Sequence, residues 1–329
     1  MATTKETILA LLEASRGRYL SGEEIGRTCA LSRAAVWKAM KALQNEGYAI
    51  DAVKNKGYRL SEETDILSAQ GIRKYLRPEL AQNDLTVLPI TTSTNTVVRE
   101  MANAGAKEGC AVFALEQTAG RGRMGRSFYS PQGSGVYMSF LLRPGQVAAE
   151  QAVRITTMAA VALCEAIEEC AEETATIKWV NDVFVRGKKV CGILTEGSFD
   201  LENGMLDYAV LGVGVNVYAP PDGFPEELAT IAGSVFSAPH SDAKNRLAAT
   251  FWNHFYAYYT ADRPDAYVEA YRRRSFVIGK RVQLLSGQEI TPARVLDIDD
   301  QCRLLVRYDD GRTACYSSGE IRVKLDQTL

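Results

Sequence analysis

An apolar run that opens into a loop of glycines and arginines most constrains the fold of this chain. Residues 111–115 read Ala-Val-Phe-Ala-Leu and predict a strand, and residues 116–127 read Glu-Gln-Thr-Ala-Gly-Arg-Gly-Arg-Met-Gly-Arg-Ser. Flexible backbone N–H groups and planar guanidinium groups are well suited to binding phosphate or carboxylate oxygens. The pattern therefore predicts an anion-binding loop at the end of a strand in a folded domain.

The same loop nearly matches a nucleotide-binding P-loop. Gly120 and Gly125 have the required spacing, but Arg126 stands where that motif needs lysine. Residues 128–135 contain a proline and two glycines and predict a loop, whereas a P-loop continues into a helix. A solvated Arg–Gly segment that touches nucleic acid is a second interpretation, but residues 135–142 predict another strand directly afterwards. We therefore favour a mobile loop that closes over an anionic ligand.

Composition limits the class of protein. A chain of 329 residues is too long for one ordinary core and predicts two or three domains. A net charge of −2 excludes a uniformly basic protein that coats nucleic acid. Because no apolar run approaches about 20 residues and no signal peptide begins the chain, we expect a cytoplasmic protein without a membrane partner. Seven cysteines without metal-ligand spacing and only two histidines argue against a tightly bound metal or a Ser–His triad.

Residues 1–62 have the pattern of a winged helix-turn-helix domain. Three short amphipathic helices are followed by two short strands joined by a cationic turn, and Ser32 is placed to cap the third helix. Residues 33–59 carry six Lys or Arg against two acidic residues, an excess that favours phosphate contact. A helical module that binds protein is the alternative. The residues expected to contact DNA are Ser32, Arg33, Ala34, Trp37, Lys38, Lys41, Lys54 and Lys56.

Residues 63–275 alternate strand-like and helix-like segments and predict an α/β domain built on one main mixed sheet. The whole chain is thus expected to be a multidomain α+β protein. Residues 276–329 read as short strands between turns and predict a small β-barrel.

Four further motifs in the central segment are ambiguous when each is taken alone. Residues 92–95 precede a helix and could be an ordinary N-cap. Asn181 and Asp182 could form a simple turn, or orient an oxygen and hold Mg²⁺ through water. Lys189 begins a strand, where lysines are usually solvated. Residues 212–216 read Gly-Val-Gly-Val-Asn, but no third glycine and no helix follow, so a dinucleotide-binding fingerprint is rejected.

Taken in order, these motifs resemble those of biotin–protein ligases. The matching segments are Ser-Thr-Asn (93–95), the Gly/Arg loop (116–126), Lys-Trp-Val-Asn-Asp (178–182), Lys-Val-Cys-Gly-Ile-Leu (189–194) and Gly-Val-Gly-Val-Asn (212–216). The winged helix in front is similar to that of the bifunctional form, which is both biotin ligase and biotin operon repressor. The resemblance covers essentially the whole chain and implies that the C-terminal barrel is SH3-like.

The resemblance implies a two-step reaction with ATP, Mg²⁺ and biotin. Biotinyl-5′-AMP forms first, and the biotinyl group then passes to a lysine of a biotin carboxyl carrier domain, such as that of acetyl-CoA carboxylase. It also implies an adenylate-linked homodimer that binds operator DNA. Lys189 and Arg123 are the implied catalytic residues. The implied biotin and adenylate contacts are Ser93, Thr94, Asn95, Gln117, Gly120, Arg121, Gly122, Arg123 and Lys189. The implied ATP-side residues are Arg126, Phe128, Asn181, Asp182 and Asn216, with Asp182 holding Mg²⁺ indirectly.

Two residues depart from the pattern of the family, and two other functions stay open. Val180 stands where the family usually has proline, and Met124 replaces a residue that is often basic. A lipoate–protein ligase is one alternative, although the Gly/Arg loop and the winged helix both favour biotin. The other alternative is a transcriptional regulator that senses a small anion without catalysis. Lys189 distinguishes a ligase from such a regulator, because a sensor needs only affinity whereas a ligase needs a cation positioned for transfer.

Overall fold

The computed structural model describes residues 3–145, 152–199, 205–263, 265–286, 289–317 and 322–325. The described residues separate into two compact units. The first comprises Met1–Gln82 and Ala238–Thr250, and the second comprises Asn83–Ser237 and Phe251–Leu329.

The first unit begins with three helices and a hairpin. These elements are α1 (Thr4–Ala14), α2 (Gly22–Cys29), α3 (Arg33–Asn45), β1 (Ile50–Val53) and β2 (Gly57–Leu60). The Ser32 hydroxyl accepts the N–H of Ala35 at 3.2 Å and so caps α3 as predicted. The antiparallel strands β1 and β2 form the wing, and Leu20 bridges to Tyr58 beside them. The N-terminal helix-turn-helix prediction is confirmed.

Two short helices, α4 (Ala69–Arg73) and α5 (Pro78–Ala81), follow the wing in the first unit. Two buried carboxylates, those of Glu13 and Asp242, are bridged by two cations here. Arg16 and Lys74 each contact both carboxylates, at 2.6–3.0 Å. Since removing one partner of a buried ion pair leaves an uncompensated charge, this cluster fixes the end of α1 to α4 and to residue 242.

The second unit is built on a mixed sheet that contains seven of the described strands. In chain order its elements are β3 (Leu85–Leu88), α6 (Thr94–Asn103), β4 (Ala111–Ala114), β5 (Gly135–Leu142), α7 (Ala152–Ala171), β6 (Ala175–Lys178), β7 (Asp182–Val185), β8 (Lys188–Phe199) and β9 (Leu206–Asn216). The strand order is β3-β4-β5-β9-β8-β7-β6, with β3 and β4 parallel and the other neighbours antiparallel. The predicted mixed sheet is thus confirmed.

The apolar interior of the second unit explains why its strands and helices form where they do. Every residue of β5 is buried, and α7 is buried along most of its length, so both lie in the core. The remaining helices are α8 (Glu226–Ala229), α9 (Ala243–Tyr259) and α10 (Val268–Arg274). Within the described ranges, no helix is both long enough and apolar enough to cross a bilayer.

The C-terminal part of the second unit is an antiparallel sheet. Its strands are β10 (Arg281–Ser286), β11 (Glu289–Ile298), β12 (Leu304–Tyr308), β13 (Thr313–Tyr316) and β14 (Arg322–Leu325). Their order is β13-β12-β11-β10-β14, and within the part of the chain that is described the two edge strands do not pair. The predicted β-strands are therefore present as an antiparallel sheet, and closure of that sheet into a barrel is not seen among the described residues.

Candidate functional site

Two adjoining cavities lie where β8 and β9 meet the loop that follows β4. The smaller has a volume of about 20 Å³ and the larger about 350 Å³. Both are lined by Arg121, Phe128, Gly192 and Leu194, so they share a wall. The larger volume is in the range of a small-molecule site.

The smaller cavity, called here the polar pocket, is formed by the start of α6 and the backbone of β8 and β9. Its other lining residues are Ser93, Thr94, Asn95, Gln117, Met138, Gly212, Val213 and Gly214. The Gln117 Oε1 atom accepts the backbone N–H of Thr94 at 2.9 Å, and Gln117 Nε2 donates to the Ser130 hydroxyl at 3.0 Å. Ser93 is the N-cap residue of α6, but its side chain makes no capping hydrogen bond. The Ser-Thr-Asn motif of residues 93–95 therefore lines the polar pocket in addition to starting α6.

Two residues that sequence reasoning missed hold the polar pocket in shape. The Ser139 hydroxyl is fully buried and lies 2.7 Å from Thr94 Oγ1 and 2.6 Å from Asn95 Oδ1. The Glu196 carboxylate accepts Asn95 Nδ2 at 2.7 Å and Arg121 Nη2 at 3.1 Å. Ser139 could have been noticed as a polar residue inside an otherwise apolar strand, since a buried hydroxyl needs a partner.

The paired glycines of β9 make room for two side chains. A Cβ atom on Gly212 would lie 2.1 Å from Asn95 Oδ1, and one on Gly214 would lie 2.5 Å from the Phe128 ring. The sequence motif around these glycines therefore reflects the close approach of Asn95 and Phe128 to the strand.

The larger cavity, called here the cationic cavity, is strongly positive. Its described lining includes five cations, Arg121, Arg123, Arg126, Lys178 and Lys189, and one carboxylate, Asp182, which leaves a net charge of about +4. Its other lining residues are Gly122, Met124, Ser127, Trp179, Asn181, Phe184, Ile193, Ile231 and Leu285. A concentration of fixed cations in a cleft attracts a polyanion such as a triphosphate.

Lys189 is held in the cationic cavity by its backbone and by an ion pair. Its N–H donates to the Ile231 carbonyl at 2.8 Å, and its own carbonyl accepts the N–H of Gly233 at 2.9 Å. Its ammonium lies 2.6 Å from Asp182 Oδ1. Burial raises the pKa of the neighbouring Cys191 thiol well above its usual range, so this cysteine provides no thiolate nucleophile.

The Gly/Arg loop folds back on itself and contains no helix beyond a single 3₁₀ turn, Arg123–Gly125. Gly122 N–H donates to the Arg126 carbonyl at 2.7 Å, and Arg123 donates to Asn181 Oδ1 at 3.3 Å. Met124 adopts a left-handed conformation with φ of 57° and is 60% exposed. The absence of a following helix in this described segment agrees with the rejection of a P-loop.

Of the fourteen residues predicted around the ligand, twelve line one or both cavities, and Gly120 and Asn216 do not. Gly120 closes the loop instead, because its carbonyl accepts the N–H of Phe128 at 2.8 Å and a Cβ there would meet Phe128 O at 2.5 Å. Asn216 donates to the Gly233 carbonyl at 3.0 Å and so anchors the segment that brackets Lys189.

The residues predicted to contact DNA are all exposed on the winged helix of the first unit. Trp37, on α3, is 58% exposed. The Lys56 ammonium in the wing turn lies 5.7 Å from the centre of the Tyr19 ring. Arg33 lies 3.7 Å from Glu23, an exposed pair that adds little stability.

Comparisons with known proteins match three consecutive parts of the chain. Family models match an HTH domain at residues 4–59, the biotin/lipoate A/B protein ligase family at 87–216, and the biotin protein ligase C terminal domain at 277–323. The chain is 39% identical to the bifunctional ligase/repressor BirA of Bacillus subtilis over 237 residues, 72% of either protein. It is 32% identical to the biotin--[acetyl-CoA-carboxylase] ligase of Mycobacterium tuberculosis over 247 residues, 72% of this chain and 88% of that one.

The fold is similar to that of the biotin protein ligase from Aquifex aeolicus, solved in complex with biotin and ATP. The TM-score is 0.61 at 24% identity, covering 74% of this chain and 99% of that one. Residues 87–216, which include most of the mixed sheet, match the class of biotin or lipoate protein ligases. Within that class the chain belongs to the biotin protein ligase family, in its bifunctional ligase/repressor form. The resemblance inferred from the motifs is confirmed.

Proposed function

We propose that this protein is an ATP-dependent biotin–protein ligase that acts through biotinyl-5′-AMP. The main support for this proposal is that the polar pocket and the cationic cavity share a wall, formed by Arg121, Phe128, Gly192 and Leu194. An acid that contacts the polar pocket at one end would place its carboxylate at this shared wall, beside a triphosphate bound in the cavity. The acceptor would be the biotin carboxyl carrier domain of acetyl-CoA carboxylase, as the name of the mycobacterial relative suggests.

The reaction has two steps. In the first, a biotin carboxylate oxygen bonds to the α-phosphorus of ATP, and the bond from that phosphorus to the bridging oxygen breaks, releasing pyrophosphate. In the second, the neutral amine of a carrier lysine attacks the carbonyl carbon of the mixed anhydride, AMP leaves with the bonding electrons, and the amine gives up a proton. Since two anions must meet in the first step, the cations of the cavity lower its barrier by opposing their repulsion.

The residue roles proposed here are supported by the cavity that each side chain lines. In the polar pocket, Ser93, Thr94, Asn95 and Gln117 would bind biotin. Arg121 and Arg123 would close over the adenylate, and this closure would shield the anhydride from water. Lys189 would bridge carboxylate and phosphate oxygens, and Phe128 would stack on the adenine.

Magnesium fits the cationic cavity as a companion of ATP. Mg²⁺ keeps several waters and usually binds one or two carboxylates together with substrate phosphates. Asp182 is the one carboxylate among the described residues that line the cavity, and it would hold the ion through water. When bound, the ion neutralises charge on the triphosphate.

Incubation with biotin, MgATP and an apo carrier domain tests the enzyme directly. We expect an avidin blot to show labelled carrier, because the adenylate formed in the cavities reacts with the carrier lysine. Lipoate in place of biotin is the matched control, and we expect no lipoylated carrier in a blot for lipoyl groups. Transfer of lipoate alone would favour the lipoate ligase alternative, and transfer of neither acid by the folded protein would favour the anion sensor.

We further propose that the winged helix binds operator DNA and that the adenylate-bound protein represses biotin genes as a homodimer. The exposed lysines of α3 and the wing, Lys38, Lys41, Lys54 and Lys56, support phosphate contact.

We also propose domain bounds of 1–62, 63–275 and 276–329, an SH3-like arrangement of the C-terminal strands, and a cytoplasmic location.

Operator affinity is expected to rise when biotin and MgATP are both present. Coupling between a ligand site and a second site is typically about 5- to 150-fold. The measurement is a gel-shift titration on the promoter region of biotin genes from the same genome, with and without the two substrates. A Lys54→Ala/Lys56→Ala variant is the control and should bind more weakly in both conditions. Equal affinity with and without substrates would disprove the coupling and leave the ligase proposal standing.

A further inference from the structure

The turn between β6 and β7 carries much of the cationic cavity. Lys178, Trp179, Asn181 and Asp182 all line that cavity. On one side this turn is tied to β8, because the Ile193 N–H donates to the Asn181 carbonyl at 3.0 Å and Asn181 Nδ2 donates to the Ile193 carbonyl at 2.9 Å. Its position is therefore fixed in part by the main sheet.

The C-terminal sheet provides a second attachment for the turn. Trp179 is buried, and its Nε1–H donates to the carbonyl of Cys302 at 2.9 Å. Cys302 lies in a tight turn with φ of 59°, where Asp299 accepts the N–H groups of Gln301 and Arg303 at 2.9 and 2.8 Å. Because this turn is held by its own hydrogen bonds, the carbonyl that receives Trp179 has a defined position.

Helix α10 provides a third attachment. The Tyr271 hydroxyl is buried and donates to the Val180 carbonyl at 3.0 Å, and the Phe276 N–H donates to the Ile177 carbonyl at 3.1 Å. Burial raises the pKa of Tyr271 well above its usual range, so the hydroxyl keeps its proton and remains a donor at any physiological pH.

We propose that α10 and the 299–303 turn form a brace that sets the position of residues 178–182 toward ATP. Tyr271 is then a positioning residue for adenylate formation, acting through Lys178, Asn181 and Asp182, and Trp179, which itself lines the cavity, holds the turn to the C-terminal sheet. The inference rests on the proposed ligase function, and it gives the C-terminal sheet a role in the nucleotide half of the reaction.

The brace is more than apolar packing, because its contacts are hydrogen bonds from buried donors to backbone carbonyls. Phenylalanine at position 271 would fill nearly the same volume as tyrosine and would preserve packing. It would leave the Val180 carbonyl without this donor, and the turn would lose one of its anchors. A shift of about 1 Å in groups that position a substrate can cost about 100-fold in rate.

The test compares Tyr271→Phe and Trp179→Phe with the wild-type protein. We expect each variant to raise the KM for ATP in adenylate formation by about tenfold. This value corresponds to a displacement of the turn that is smaller than the shift of about 1 Å that can cost about 100-fold. The Kd for biotin should change by less than about twofold, because the polar pocket does not include the turn. Tyr208→Phe is the matched control. Like Tyr271, Tyr208 is buried, and its hydroxyl donates to Asn103 at 2.9 Å, but neither Tyr208 nor Asn103 lines a cavity.

The double variant Trp179→Phe/Tyr271→Phe provides a second measurement. Since both side chains hold one turn, their effects on the KM for ATP should be non-additive. A lower Tm in Tyr271→Phe and Tyr208→Phe alike, with the KM for ATP unchanged in both, would overturn the brace. In that case the wild-type protein would still label its carrier, so failure of the brace is distinct from failure of the ligase proposal.

Discussion

Replacing Lys189 with alanine is expected to slow adenylate formation by about 100- to 1,000-fold. Removal of one preorganised charge donor from a shielded site typically has an effect of this size. Lys189 lies on β8 and lines the cationic cavity. Its backbone N–H and carbonyl are both hydrogen-bonded, to Ile231 and to Gly233 respectively, so its position is well defined. The measurement is the rate of ATP–pyrophosphate exchange that depends on biotin.

The effect should fall more heavily on the chemical step than on substrate binding. Lys189 does not line the polar pocket, so biotin affinity should decline much less than the exchange rate. An interaction that strengthens as the two anions meet lowers kcat when it is removed, whereas one that is equal in the bound state and the transition state alters only KM. Arginine at this position should restore part of the rate, because it keeps the charge but changes its geometry.

Lys188 offers a matched control on the same strand. Its ammonium donates to the Thr230 carbonyl at 2.6 Å, and it does not line the cationic cavity. Lys188→Ala therefore removes one lysine of β8 while leaving the cavity charge intact, and we expect exchange within about twofold of wild type. Equal loss in both variants would mean that β8 is simply destabilised, and full activity of Lys189→Ala would refute the assigned role.

The sequence predicted those parts of the structure that depend on local pattern. Ser32 before an amphipathic run predicted the cap of α3, and the proline and glycines after the Gly/Arg loop predicted that no helix would follow. The local pattern of residues 186–194 also placed Lys189 at the start of a strand, and in the structure β8 begins at Lys188. These features are encoded in short stretches of chain, so a single sequence contains the necessary information.

Contacts between distant segments were not predictable in the same way. Arg16 and Asp242 are 226 residues apart, and the partner of Trp179 is a carbonyl 123 residues away. A serine such as Ser139 has no visible partner in the sequence until β5 packs beside α6. The C-terminal strands illustrate a further limit, because alternating residues indicate strands but do not determine whether the outermost strands pair.

The resemblance implied that Asn216 lies on the ATP side of the site, and in the structure its side chain lines neither cavity but supports a neighbouring segment. Its amide donates to Gly233, whose N–H in turn donates to the Lys189 carbonyl. A sequence motif alone does not distinguish a side chain that lines a cavity from one that supports it. That distinction depends on the direction of the side chain, which the tertiary structure determines.

Replacing Gly212 with alanine is expected to weaken biotin binding by about 100-fold. The new Cβ atom would lie 2.1 Å from Asn95 Oδ1, a separation that real atoms do not adopt, so Asn95 must move. Asn95 is 4% exposed and is held by Ser139 at 2.6 Å and by Glu196 at 2.7 Å, so its displacement breaks both hydrogen bonds. A displaced Asn95 can no longer pair with biotin, and a buried polar group left without its partner costs about 1–3 kcal/mol, which at its upper end corresponds to about 100-fold in Kd.

Isothermal titration with biotin alone measures this effect, since Gly212 and Asn95 line the polar pocket and not the cationic cavity. Gly22→Ala is the matched control, because a Cβ there meets nothing closer than 3.8 Å and Gly22 begins α2 in the first unit. A second variant, Gly212→Ala/Asn95→Ala, removes the clash by shortening the displaced side chain. If the clash is the cause, the double variant should bind biotin no more weakly than Asn95→Ala. If the alanine acts instead by distorting β9, the two losses should add, and the assignment of Asn95 to the biotin site would lose its support.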